Sequence, residues 1–120
     1  MKQNIIILSI LVLTGCSKQV DIAGFNEQAW KHDKHGCEGI RYSMIDKLRS
    51  IEDELKGLDN DEIISVLGKP EKTTLGKRNL KHFVYAVTPA TSCIIDTTRK
   101  KIELTIRFNA VGLAYEVIIL

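Results

Sequence analysis

The C-terminal stretch "KIELTIRFNAVGLAYEVIIL", residues 101–120, decides the fold. Ile102, Leu104, Ile106 and Phe108 alternate with Glu103, Thr105 and Arg107. A period of two belongs to a strand with one face on a core and the other in water. "NAVG" (109–112) reads as a tight turn, and "LAYEVIIL" follows as a last strand with Leu113, Tyr115, Val117 and Ile119 in step. Upstream, "KHFVYAV" (81–87) carries the same alternation through Phe83, Tyr85 and Val87. Such strands predict an antiparallel meander covered on one side.

The cover comes from the N-terminal half. "RYSMIDKLRSIEDELK" (41–56) places Met44, Ile45, Leu48, Ile51 and Leu55 on one helical face. Gly57 stops that helix. A second begins at Asp59, with Glu62 three residues on in the pattern of a capping box. Ile63, Ile64 and Leu67 form its apolar stripe, and Gly68 then Pro70 end it. A polar loop leads from there to the strands. The order of elements predicts a two-layer α+β domain, with N-terminal helices on one face of a three-stranded, or at most four-stranded, antiparallel meander. Residues 88–99, "TPATSCIIDTTR", either extend a strand around Cys93 or form a long loop.

The N-terminus carries an address. "MKQNIIILSILVLTGCSK" sets Lys2 before an apolar run of about ten residues, half the length of a membrane-spanning helix. The run fits a secretory signal. Its ending, Leu13-Thr14-Gly15-Cys16, resembles the lipobox of bacterial lipoproteins. That resemblance implies cleavage before Cys16, a diacylglycerol on its thiol and acylation of the new amine. Several chains anchor stably where one is marginal. The alternative is an uncleaved anchor or an ordinary signal peptide in which Cys16 is incidental. The expected organisation is a signal peptide over 1–15, a lipidated tether over 16–24 and one domain over 25–120. Ser17, where an aspartate would favour inner-membrane retention, points to the outer membrane.

With Cys16 committed to lipid, two of the three cysteines remain, Cys37 and Cys93. In an oxidising envelope such a pair is by default a disulfide. It would close a loop of about 57 residues, worth roughly 4 kcal/mol in the chain-entropy model. A metal site is the competing reading of "WKHDKHGC" (30–37), because His32, His35 and Cys37 are all zinc ligands by type. A fourth ligand is missing from that cluster, and Gly36 ends a helix before Cys37 joins it. A redox thiol has less support without a Cys-x-x-Cys. The segment is therefore expected to be a short helix ending at Gly36, with Trp30 and Phe25 buried and both histidines and Asp33 solvated. No metal or cofactor is expected.

"LKGLDNDEIISVLGKP" (55–70), "FVY", "LTIRFNAVG" and "LAYEVII" together resemble the SmpA/OmlA (BamE-like) family of small lipoproteins. The family places a short Gly-containing turn before a capped helix, then Leu-Gly-x-Pro and a meander. Gly57-Leu58-Asp59 stands where the family usually has Gly-Met-Thr, and "WKHDKHGC" with its cysteine pair lies outside the family pattern. The resemblance implies an α+β fold and a non-catalytic, protein-binding role as an accessory of outer-membrane assembly or maintenance. The expected recognition surface is the open sheet face with the loop before the strands, including Thr74, Lys77 and Arg78. A similar layout occurs in secreted β-lactamase inhibitors, so a lipid-tethered binder or inhibitor of a secreted enzyme is the second reading. Net charge is only +2, with both signs interspersed, which does not suit a nucleic-acid binder. Ser50, Ser65, Ser92, His82 and Glu103 show no spacing that nominates a catalytic constellation.

Overall fold

The computed structural model describes residues 20–89, 93 and 100–120. The signal segment 1–15, Cys16, Ser17, Ser92 and most of the 88–99 segment lie outside the described residues. The architecture is α+β. Helices α1 (Glu27–His32), α2 (Ile40–Ser43), α3 (Ile45–Ser50), α4 (Glu52–Leu55) and α5 (Asn60–Leu67) precede strands β1 (Lys72–Leu75), β2 (Lys81–Ala86), β3 (Glu103–Phe108) and β4 (Ala114–Ile119). The strands form one antiparallel sheet in the order β1-β2-β3-β4.

The fourth strand is β1, drawn from the stretch expected to be a polar loop. All four of its residues are exposed, so no apolar alternation betrays it, and it exists because it pairs along β2. Lys72 on this short edge discourages further strand addition.

The segment 41–56 keeps its inward stripe but is not one helix. It bends at Met44 (φ −92°, ψ 3°) and at Ile51 (φ −105°, ψ 7°). No glycine or proline lies in this segment, so the bends belong to packing. They leave Leu48, Ile51 and Leu55 all buried against the sheet. Helix α5 matches the expectation: the Asp59 carboxylate accepts from the Glu62 amide at 2.8 Å, and Glu62 reaches back to the Asp59 amide. Such a cap contributes about 1 kcal/mol.

Strand β4 departs from its expected phase only at its start. Phe108 pairs with Ala114 and Arg107 with Glu116, so Tyr115 is an extra residue in a β-bulge. One inserted residue flips every side chain beyond it. Ala114 therefore faces the core and Leu113 and Tyr115 are exposed, while beyond the bulge Val117 and Ile119 face inward as the alternation requires.

Packing begins before Phe25, since Ile22, placed in the tether by composition, is buried in the core. Trp30 is the hub of the N-terminal layer. Its Nε1 donates to the Leu67 carbonyl at 3.1 Å, and its ring lies 6.0 Å from Phe25 and 6.4 Å from Tyr85.

The Arg41 guanidinium sits 4.5 Å over the Trp30 ring, buried with its side chain 1% exposed. Its Nε donates to the Trp30 carbonyl at 2.9 Å, and one terminal nitrogen donates to the Ala86 carbonyl and pairs with Glu71. Glu71 also accepts from the His35 and Ala86 amides. Asp33 is buried too, contrary to the expected solvated position. Its carboxylate accepts from the Glu38 and Arg41 amides at 2.7 and 3.0 Å, satisfying the start of α2, where no local side chain caps. This network ties the N-terminal segment to the sheet.

Tyr85 completes that core, donating its hydroxyl to the Gly68 carbonyl at 2.8 Å. Burial, with a smaller push from the Glu71 charge, raises its pKa well above the ordinary value of 10.0. The folded state therefore keeps a proton that the unfolded chain loses. Stability from this group is complete below pH 10 and is lost as pH rises above it. Urea titrations from pH 8 to 11.5 should show a falling midpoint above pH 10 that is shallower in Tyr85→Phe; equal slopes would refute this.

Candidate functional site

The helices cover the sheet face carrying Phe83, Tyr85, Leu104, Ile106 and Phe108. Among the described residues no helix lies on the opposite face. Strand register assembles that face in rows. Lys72, Val84, Thr105 and Ile118 form one, and Thr74, His82, Arg107 and Glu116 the next. Two adjoining hollows, of about 180 and 400 Å³, share Lys72, Val84 and Glu103 in their walls.

Charged pairs frame an apolar strip. Lys72 and Lys101 both approach Glu103, at 3.7 and 3.0 Å, and Arg107 holds Glu116 at 3.1 Å. The lysines are more than half exposed, and such pairs contribute under about 1 kcal/mol each. Between them Val84 is only 7% exposed. Protein-contact surfaces commonly have this anatomy, an apolar centre with a polar rim.

No family model, curated protein or solved structure matches this chain.

Of the expected contact residues, Thr74 lies on this face, paired with His82. Lys77 and Arg78 form the exposed turn between β1 and β2, at the end of the sheet rather than on it. Cys37 and Cys93 stand at disulfide distance, with Cα atoms 5.5 Å apart, by the opposite end of the sheet. Gly36 enables that approach. At φ +68° it lies so close to the Val87 and Thr88 carbonyls that a Cβ would sit 2.8 Å from each. His32 and His35 are exposed, and His32 lies 3.7 Å from Glu38. Among the described residues no three His, Cys, Asp or Glu side chains are placed to hold a metal ion.

The candidate catalytic side chains are separated by the sheet. Ser50 and Ser65 sit on helices over the inner face and donate back to the Lys47 and Glu62 carbonyls, whereas His82 and Glu103 lie on the outer face.

Sequence reasoning missed Arg41 and Glu71. Arg41 did leave a signal, because it stands seven residues before Leu48 and fourteen before Leu55, on the same inward stripe. A charge at that phase means a buried charge in need of a partner. Glu71, just after Pro70, gives no such sign.

Proposed function

We propose that this chain is a non-catalytic protein-binding module of a bacterial envelope, tethered by lipid on Cys16 at the outer membrane, and an accessory of outer-membrane assembly or maintenance. The observation that carries the binding role is the open sheet face, with its apolar strip and charged rim set on a cross-braced frame. A frame held by the Arg41–Glu71 network orders little on binding, which limits the entropic cost of association. The lipobox ending at Cys16 supports the tether. The SmpA/OmlA resemblance from Leu58 to Pro70 and through the meander supports the assembly role.

In-cell crosslinking of the tagged, lipidated chain, with Cys16→Ser as control, tests this reading. Barrel-assembly proteins recovered with the lipidated form and lost with Cys16→Ser are the expected result. A single soluble enzyme recovered with both forms would replace it with the inhibitor reading. Recovery of no protein partner would end both.

A further inference from the structure

We infer that the open sheet face takes an extended acidic segment of its partner, seating a carboxylate on Arg107 and an aliphatic side chain, two residues along, in the hollow beside Ile118. The inference rests on the protein-binding reading above and names the partner's chemistry.

Charge gives the first argument. Among the described residues, three cations paired across this face, Lys72, Lys101 and Arg107, meet two carboxylates, Glu103 and Glu116. Lys72 and Lys101 share Glu103, and Arg107 spends one terminal nitrogen on Glu116. The Arg107 Nε has no hydrogen-bond partner although the atom is buried. A guanidinium offers five donors in a planar fork, and a carboxylate fills two at once. The surplus positive charge falls on Lys72 and Lys101, and the unfilled donor on Arg107 in the neighbouring row. A basic segment would add repulsion on this face, and a neutral one would leave the surplus charge and the donor unmet.

Register gives the second. Arg107 pairs with Glu116 and Thr105 with Ile118, so the Arg107 and Ile118 rows lie two residues apart along the strands, about 6.6 Å at a strand's rise. An extended segment lying along the strands presents alternate side chains at that same spacing. The hollow of about 400 Å³ has Val84, Ile118 and Leu120 among its walls, next to Arg107. An acidic residue two positions from an aliphatic one matches both features, in either chain direction.

The test is a selection of random linear nonapeptides displayed on phage against the full oxidised chain, followed by polarisation titrations of the enriched peptides. Enriched sequences should share Asp or Glu two positions from Leu, Ile or Val. Their binding should weaken about tenfold or more in Arg107→Gln, recover partly in Arg107→Lys, weaken in Ile118→Lys and fall with salt. Matched thermal melts of these surface variants exclude misfolding. Peptides lacking an acid, or binding all variants equally, would overturn the assignment while leaving a protein-binding role intact. Failure to enrich any sequence would also overturn it, whereas loss of the protein-binding reading itself would show as an empty crosslink in cells.

Discussion

Glu71→Ala should lower the free energy of unfolding by about 3–5 kcal/mol, the range for removing one partner of a buried ion pair. The Glu71 side chain is 12% exposed and its partner Arg41 only 1%. Removing the carboxylate strands a buried cation, and two backbone donors, the His35 and Ala86 amides, lose their acceptor as well. Against a typical domain stability of about 5–15 kcal/mol that is a large share. Urea melts of Glu71→Ala, Arg41→Met and the double variant give the coupling directly. The double variant should recover part of the loss, because it removes the uncompensated charge along with its partner. A single-variant loss under about 1 kcal/mol would place this pair with ordinary surface bridges.

Reduction of the Cys37–Cys93 bond should cost about 4 kcal/mol for a loop of this length in the chain-entropy model. The two cysteines are 56 residues apart in sequence and at disulfide distance in space. The bond would join the loop after α1 to the connection between β2 and β3, the two segments that Gly36 brings into backbone contact. Melts with and without reductant, beside a Cys37→Ala/Cys93→Ala variant, measure the effect. Intact mass of the oxidised chain with thiol alkylation decides the chemistry. Two alkylated thiols at positions 37 and 93 without reductant would show that the bond does not form.

The fold class was legible because it is written in periodicity. Ile102 to Phe108 and Phe83 to Val87 alternate, and their inward sets are buried largely as the alternation requires. The α5 cap was legible because it is made by residues three apart. The candidate site was legible only as a face: Thr74 lies on it, while Lys77 and Arg78 sit at its end. Its ion pairs join side chains as much as thirty-one residues apart, Lys72 with Glu103, and no local pattern announces such a partnership.

By itself, the sequence determined which residues must leave water and at what period, which sets helix or strand, the cap of α5 and the two-layer class. Tertiary structure decided the rest. It made β1 a strand because β2 offered unpaired backbone, broke the 41–56 helix where the sheet required the turn, and reversed the outlook of Leu113 and Tyr115 with one bulged residue. It also buried Asp33 and Arg41 and set the half-buried Glu71 against Arg41. Periodicity is a property of neighbours along the chain. Satisfying a buried charge or a backbone donor depends on whatever the folded chain brings within about 3 Å.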